Sequence, residues 1–396
     1  MLKGGAPAPL EGIRVLDLCR FQAGPTCGLM LSRLGADVIK VEPPEGEESR
    51  RSGPFVRGQS SYWVEFNTGK RSLGLDLYSD KGKEILRRLV AVSDIFLQGF
   101  RPGTIEAMGF GYETLKSLNP KIVVVNISAY GQYGPYWERP GFDRQASAMS
   151  GFMMSPGAEG MPPIVVHESP VDRMTGLTAT IGALGALWEA RESGEGQSLD
   201  VALADTAYAT MARPISYYKA TGNVIPRRGL GSGFSTAYSC KDGMVYISWG
   251  NPNMLKRVCE VIGHPEWTEP GGIASRVQND PQAVAVVEKE LGGWFGQRTV
   301  DDAVSIVSEL GAIIAPINTL AQAAENPHPW ARDVFVAVPD PVAGMLHVSA
   351  NLMHYSKSGY KIGPAPMPGQ HTQEILTELL GMTDGAIREL KEEKVI

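Results

Sequence analysis

The sequence predicts an α/β protein with a Rossmann-like large domain and a smaller α+β domain. Strand and helix patterns alternate up to about residue 130, as in a parallel sheet covered by helices on both faces. From Phe142 the pattern is mainly helical, until a Gly-rich, basic stretch at 227–233 separates a further segment. The length of 396 residues is too great for one ordinary core and also favours two domains.

The first elements are typical of a βαβ unit. Residues 12–18 and 36–42 are apolar strand patterns, and residues 25–34 between them have helical spacing. The two strands should be parallel because a crossover helix connects them. The sequence also predicts strands at 71–77, 94–97 and 121–128 and a helix at 81–92.

The second half of the chain adds mostly helices. The predicted helices are 144–153, 172–192, 204–220, 254–262, 282–292, 300–310, 372–380 and 384–393, and the predicted strands are 198–201, 244–249, 334–338 and 345–348. The segment of about 225–330 is the candidate for the smaller domain.

Composition excludes several classes of protein. The net charge is -6 and the basic residues are scattered, unlike the basic surface of a nucleic-acid binder. The four cysteines show no CxxC spacing and the six histidines no HxxxH pair, so neither a zinc site nor a disulfide framework is expected. No secretory signal and no membrane span are predicted. These features favour a cytoplasmic enzyme.

Common nucleotide-binding and hydrolase motifs are missing from the sequence. The first strand is followed by Cys19–Pro25, which is not GxGxxG, although Pro25 suits the first turn of a helix. GxxxxGK[ST] and GxSxG do not occur either. The motifs therefore do not support nicotinamide chemistry, ATP-driven ligation or a serine hydrolase.

Asp172 precedes a long apolar helical run, and its position has two compatible interpretations. The first is structural, because aspartate is a favoured N-cap. The second is chemical, because the helix dipole would hold the carboxylate ionised, as a nucleophilic carboxylate requires.

Over nearly its whole length the chain resembles the class III CoA-transferases, the CaiB/BaiF-like group that includes formyl-CoA transferase and carnitine CoA-transferase. The matching stretches are LEGIRVLDLCRFQAGP, LGADVIKVE, FNTGKRSLGLDL, GFRPGTIEAMGFGY, YGPYWERPGFD, VDRMTGLTATIGALGAL, GQSLDVALADTA and PGQHTQEILTELLG. The family's nucleophile is an aspartate four residues before a glycine, and Asp172 and Gly176 match it. The resemblance implies transfer of coenzyme A through an aspartyl anhydride and an aspartyl-CoA thioester, with CoA thioesters as substrates and no tightly bound cofactor or metal.

The resemblance also implies binding residues. Gln22 matches a glutamine beside the nucleophile, and Gly231 and Gly233 match a glycine loop that covers the intermediate, although a flexible linker explains them equally well. The expected CoA contacts are Arg20, Gln22, Ala23, Leu75, Gly99, Phe100, Arg101 and Tyr130. A family lysine is replaced by Ser128, which puts one phosphate contact in doubt. Four arginines are candidates to hold a second carboxylate of a dicarboxylic acceptor: Arg20, Arg173, Arg227 and Arg228.

Members of this family form interlaced homodimers, which implies a large CoA-binding domain from residues 1–200 plus 330–396. The small domain would be 225–330, with linkers at about 200–225 and 330–350. One alternative is a 2-methylacyl-CoA racemase-like enzyme, but that group reads Gly-His-Asp where this chain has Gly141-Phe142-Asp143, and phenylalanine cannot transfer a proton. Another is a non-catalytic CoA-binding subunit of a heteromeric transferase.

Overall fold

The computed structural model describes residues 7–248 and 251–396 and divides the chain into two compact units. The first unit comprises the residues up to Met153, Val165–Gly222 and His328–Ile396, and the second comprises Met154–Ile164 and Asn223–Pro327. Trp249, the last residue of one predicted strand, lies outside the described residues. None of the helices in the described ranges has the length and apolar character needed to cross a membrane.

Thirteen strands occur in the described residues. They are β1 (Arg14–Asp17), β2 (Asp37–Glu42), β3 (Phe55–Val56), β4 (Gln59–Ser60), β5 (Arg71–Gly74), β6 (Ile95–Gln98), β7 (Val123–Ser128), β8 (Ser198–Ala202), β9 (Thr236–Ser239), β10 (Met244–Ser248), β11 (Ile313–Pro316), β12 (Phe335–Asp340) and β13 (Gly344–Ser349).

Sixteen α-helices occur in the same part of the chain. They are α1 (Ala23–Arg33), α2 (Ser61–Asn67), α3 (Asp80–Val90), α4 (Thr104–Ala107), α5 (Tyr112–Leu118), α6 (Asp143–Met149), α7 (Pro170–Ser193), α8 (Leu203–Thr210), α9 (Ala212–Thr221), α10 (Pro252–Val261), α11 (Pro281–Gly296), α12 (Val300–Glu309), α13 (Leu320–Glu325), α14 (Pro327–Ala331), α15 (Thr372–Leu380) and α16 (Asp384–Glu392).

The first unit is built on a six-stranded sheet in the order β5-β2-β1-β6-β7-β8, with every neighbouring pair parallel. Helices α1 and α7 pack on one face and α3, α5, α15 and α16 on the other, each around its own apolar core. This three-layer arrangement explains why the central strands β6 and β7 are buried along their whole length. The predicted α/β class with a parallel sheet is confirmed.

The second unit has a three-stranded antiparallel sheet in the order β11-β10-β9. Its apolar core includes Phe234, Tyr238 and Phe295, with the Tyr238 and Phe295 rings stacked at 5.1 Å. Helices α10, α11 and α12 contribute further buried residues, and so does β10 with Val245 and Ile247.

One predicted helix, 204–220, is in fact two helices, α8 and α9, with a break at Met211. Pro214 is the reason, because its nitrogen carries no hydrogen and cannot donate to the carbonyl four residues earlier. At the break the Met211 amide donates to both Ala207 and Tyr208. The prediction of a single helix here is wrong.

Candidate active site

A cavity of about 350 Å³ lies where β1, β6 and β7 end, and it contains the predicted nucleophile. Asp172 lines it together with a group of predicted residues that come from the loops after β1 and β6: Arg20, Gln22, Ala23, Gly99, Phe100 and Arg101. Ligand sites of open α/β sheets are commonly found at the carboxyl ends of the strands. The fold therefore brings these residues, which are far apart in sequence, to one site.

Asp172 is the third residue of α7, not its N-cap. The N-cap is Ser169, and Pro170 occupies the first helical position, which suits proline because no N–H is needed there. The prediction that Asp172 is the N-cap is therefore wrong, because Asp172 lies three residues after the N-cap. It does lie in the first turn of α7, as the sequence predicts.

The turn before Asp172 is strained and is held from the side by Gln22. Ser169 has φ 46°, and Phe21 has φ 64°, both in the left-handed region that non-glycine residues seldom adopt. The Gln22 side-chain amide donates to the carbonyls of Glu168 at 3.4 Å and Ser169 at 3.3 Å. Gln22 thus connects the start of α1 to the turn that precedes the predicted nucleophile.

Gly176, the glycine four residues after Asp172, lies where α7 crosses α1. A Cβ at this position would be 2.5 Å from the Thr26 Cβ and 2.6 Å from the Ala23 carbonyl oxygen. Only a residue without a side chain allows the two helices to approach so closely. The Asp-x-x-x-Gly spacing therefore places the Asp172 carboxyl group one helical turn before the glycine at which α7 packs against α1.

The start of α7 is capped from another helix by Asp143. Its Oδ2 accepts hydrogen bonds from the backbone N–H groups of Val171 at 2.8 Å and Asp172 at 3.1 Å. Asp143 is buried at the beginning of α6, and its Oδ1 accepts from the Ser147 hydroxyl. A buried carboxylate thus lies beside the predicted nucleophile.

The electrostatic surroundings raise the pKa of Asp172 to about 7, first through burial and then through the negative charge of Asp143. The sequence argument considered only the helix dipole, which favours the carboxylate; burial and the like charge of Asp143 act in the opposite direction. On α2, burial and then the charge of Asp172 raise the pKa of the Tyr62 phenol, which keeps it protonated.

A buried ionic cluster lies beneath the loop between β1 and α1. Lys70 contacts Asp17 at 2.8 Å, and Lys40 lies 3.4 Å from Glu47 and donates to the Cys19 carbonyl. Burial alone would raise the pKa of Asp17, but the charges of Lys40 and Lys70 hold it below its usual value. Because these groups are closed off from water, they fix the loop that carries Arg20 and Gln22.

A second, larger cavity of about 930 Å³ shares Arg20, Phe100 and Arg101 with the first. Leu75, a predicted CoA contact, lies in this larger cavity, and three lysines of its lining are Lys83, Lys391 and Lys394. Within residues 7–248 and 251–396, none of these lysines forms an ion pair. The same lining also contains the acidic residues Glu42, Glu45, Glu47 and Asp76.

Tyr130 and Ser128 differ in their relation to the cavities. Tyr130 is absent from the lining of both, and its ring packs at 6.2 Å from Tyr136. Ser128, which replaces the family lysine, lines the smaller cavity and accepts a hydrogen bond from the Gly131 amide at 2.9 Å. A direct CoA contact by Tyr130 is therefore not apparent in this geometry.

Two of the arginines predicted to hold a carboxylate are otherwise engaged. Arg173 lies 3.7 Å from Glu65 and over the Phe66 ring. In the second unit, Arg227 donates to the backbone carbonyls of Pro156, Met161 and Pro162. Arg227 thus holds the 154–164 segment, and its role as a carboxylate ligand stays a prediction that these contacts do not favour. Arg228 forms a backbone bridge with Ala158.

The predicted glycine loop is an ordered turn within the second unit. Gly231 has φ 102°, and a Cβ there would lie 2.0 Å from the Ser235 carbonyl oxygen. The Gly233 amide donates to Glu288 at 2.9 Å, and its carbonyl accepts from the Tyr238 hydroxyl. The backbone requires glycine at Gly231, whereas the catalytic role of Gly231 and Gly233 stays a prediction.

Three residues of the site were missed by the sequence analysis. Arg139 and Trp137 line the smaller cavity, and Asp143 accepts a hydrogen bond from the backbone of Asp172. All three belong to the stretch WERPGFD, so their signal was the motif itself. Sequence reasoning used that stretch to support the family resemblance and to compare Phe142 with a racemase histidine, and assigned no role to these three residues.

Comparison with known proteins decides the family. The sequence model of the protein family "CoA-transferase family III" matches residues 10–372 of this chain. The chain belongs to CoA-transferase family III. It is therefore an enzyme of the CoA-transferase class, as predicted.

Individual relatives of this family member cover almost its whole length. It is 33% identical over 398 residues to a succinyl-CoA–D-citramalate CoA-transferase of Chloroflexus aurantiacus, covering 98% of both chains. It is 32% identical over 407 residues to the succinyl-CoA–L-malate CoA-transferase beta subunit of the same organism, again covering 98% of both. A crystal structure of a CaiB/BaiF family protein from Brucella suis matches with a TM-score of 0.82 and 30% identity, covering 94% of this chain and 100% of the other.

Proposed function

We propose that this CoA-transferase moves coenzyme A from an acyl-CoA donor to a dicarboxylic acid by covalent catalysis on Asp172. The Asp172 carboxylate attacks the thioester carbonyl, and the C–S bond breaks to give an aspartyl anhydride and the CoA thiolate. The thiolate then attacks the Asp172 carbonyl carbon and releases the donor acid, leaving an aspartyl-CoA thioester.

The second half of the reaction reverses these steps with the acceptor. The acceptor carboxylate attacks the aspartyl-CoA carbonyl carbon. This attack forms a second anhydride and expels the CoA thiolate. The thiolate attacks the acceptor's carbonyl carbon, giving the new acyl-CoA and the free Asp172 carboxylate. Each bond broken is matched by one formed, so the cycle needs no ATP, oxidant or net proton.

The observation that carries this proposal is the placement of Asp172 in the smaller cavity, at the start of a long helix and beside Gln22. With the pKa of Asp172 near 7, about half of the enzyme holds the reactive carboxylate at neutral pH. A carboxylate of raised pKa is also more basic, which favours attack on a carbonyl carbon.

We place the thioester of CoA in the smaller cavity and its nucleotide in the larger one. The two cavities meet at Arg20, Phe100 and Arg101. Lys83, Lys391 and Lys394 supply positive charge for the phosphates, and a phosphate bound by such side chains gains charge-assisted hydrogen bonds. Two cavities that share a wall suit a long ligand with a small reactive end and a bulky charged end.

A dicarboxylic acceptor is supported by the relatives and by the charges of the smaller cavity. The names of the two relatives specify succinyl-CoA as donor and citramalate or malate as acceptor, all derived from dicarboxylic acids. Arg139 lines the smaller cavity and is held over the Tyr136 ring at 4.1 Å, while Arg20 lines the same cavity but pairs with Glu48 at 3.5 Å. An arginine is well suited to bind the carboxylate that does not react.

We further propose that the chain works as an interlaced homodimer, with the division into a CoA-binding large domain and a small domain described from the sequence. An exposed apolar stripe supports an assembly: Leu177, Ile181 and Trp188 lie on one side of α7, with Trp188 71% exposed. Since one relative is a beta subunit, a heteromer with a similar chain is the alternative. Activity of the purified chain alone would favour the homodimer.

The test is mass spectrometry after incubation with succinyl-CoA and quenching with hydroxylamine. We expect a hydroxamate on the peptide that contains Asp172, and none in the Asp172→Asn variant. If the purified chain turns over succinyl-CoA with a dicarboxylic acid but no adduct maps to Asp172, the nucleophile is misassigned. If it instead exchanges the α-proton of an acyl-CoA into deuterated water without forming an adduct, the racemase alternative replaces the transferase mechanism.

A further inference from the structure

Asp143 has an unusual position for a group that serves only to cap a helix. It belongs to α6, yet its Oδ2 accepts the N–H groups of Val171 and Asp172 in α7. Its side chain is buried, at 4% exposure for the residue. Asparagine or serine would supply a neutral acceptor for the same N–H groups. Aspartate therefore adds a negative charge, which capping does not require.

We propose that Asp143 is a positioning residue for the nucleophile, which fixes the backbone of Asp172 through Oδ2 and places a second negative charge beside its carboxyl group. This inference rests on the proposed function, because it assumes that Asp172 is the nucleophile. It goes beyond that function by assigning a role to a residue outside the cavity lining.

The effect of the second charge follows from the reaction intermediates. Two buried carboxylates close to one another repel, so the ionised form of Asp172 is raised in free energy. When Asp172 becomes an anhydride or a thioester, its charge disappears and the repulsion is relieved. The charge of Asp143 therefore favours the step from free carboxylate to covalent intermediate, while its hydrogen bonds keep the backbone in place.

The other titratable groups near Asp172 do not cancel this effect. On α7 itself, Arg173 is paired with Glu65 of α2, and Arg20 in the cavity wall is paired with Glu48 at 3.5 Å. Tyr62 of α2 is a neutral phenol, since burial and the charge of Asp172 raise its pKa. The remaining cations of the cavity wall are Arg101 and Arg139. The pKa of Asp172 is raised first by burial and then by the negative charge of Asp143.

The test compares Asp143→Asn with Asp143→Ala in the full-length protein. The asparagine oxygen can still accept both N–H groups, and the Ser147 hydroxyl can turn to accept from the new amide, so only the charge is removed. Alanine removes both the negative charge and the acceptor for the two N–H groups. Asp200→Asn is the matched control, because Asp200 also accepts a backbone N–H, from Gln132 at 2.8 Å, but does not line the cavity.

The readout is the pH profile of kcat/KM with succinyl-CoA as donor. Wild type should lose activity on the acid side with a midpoint near pH 7, where Asp172 takes up its proton. In Asp143→Asn this midpoint should move to lower pH by about one unit, and in Asp200→Asn it should not move. Asp143→Ala should show the same direction of shift and a further loss in kcat of roughly 100-fold, because the turn is no longer held.

An Asp143→Asn midpoint that stays at the wild-type pH would overturn the inference, even if kcat falls, because a purely structural cap predicts that result. Thermal unfolding of each variant shows whether it is folded, and if the alanine variant is not, the asparagine profile decides alone. Hydroxylamine trapping separates this outcome from failure of the proposed function. A wild-type Asp172 adduct with an unshifted profile refutes only the role of Asp143, whereas no adduct in wild type refutes the nucleophile.

Discussion

The two cavities of the first unit differ in how their walls are made. The smaller is formed by the starts of α1, α6 and α7, with strained backbone at Phe21 and Ser169 and a buried ionic cluster beneath its loop. The larger is lined by residues of β2, α3, α4 and α16 and of the loops between them, and three lysines contribute to its wall. Strained backbone and a buried ionic cluster thus accompany the smaller cavity, where we propose that bonds are exchanged, whereas the larger cavity, our proposed nucleotide site, is distinguished by its lysines.

The strongest test of this contrast is Asp172→Asn. We expect kcat to fall by at least about 10³-fold, because the amide is no nucleophile, while the affinity for free CoA stays within about twofold. Turnover assays and calorimetric titration with CoA measure the two quantities. A large loss of CoA affinity would mean that the two cavities do not act separately.

Gly176→Ala tests the geometry of the smaller cavity without touching the ligand. The new Cβ would clash with Thr26 and the Ala23 carbonyl, so α7 and α1 must separate and displace Asp172. We expect kcat to fall by roughly 100-fold. Gly185→Ala on the same helix is the control, because a Cβ there meets nothing within 4 Å and alanine favours the helix. Equal kcat values for the two variants would contradict the role of the close helix contact.

Lys391→Met and Lys394→Met test the larger cavity. Each should raise KM for the acyl-CoA by roughly 3- to 10-fold and leave kcat nearly unchanged, with less effect at high salt. Lys81→Met is the control, since Lys81 pairs with Glu389 and Glu393 and does not line the cavity. A change in kcat without a change in KM would remove these lysines from the proposed nucleotide site.

The main sheet could be predicted from the sequence because its strands are continuous apolar runs bounded by turn residues. The strands around Val15, Val38, Ile95 and Val124 therefore appear close to where periodicity places them. Short elements were missed, such as the helix Ser61–Asn67, because two turns provide too few residues for a periodic signal.

The contact between Asp143 and Asp172 could not be predicted from the sequence. The two residues are 29 positions apart, and their contact depends on how α6 docks against α7. The raised pKa of Asp172 depends on the same docking and on burial, neither of which a local pattern reveals. The family resemblance therefore proposed Asp172 as the nucleophile, but the sequence alone could not predict the raised pKa of its carboxyl group.

Helix α16 and the residues after it contribute a wall of the larger cavity, which joins distant parts of the chain. The amide of Asp76 donates to the Val395 carbonyl, and Lys391, Lys394 and Ile396 line the cavity together with Leu75 and Tyr78. Removal of residues 391–396 would take away these three side chains and the hydrogen bond to Asp76 at the same time. The shape of the cavity therefore depends on contacts between residues that lie far apart in sequence.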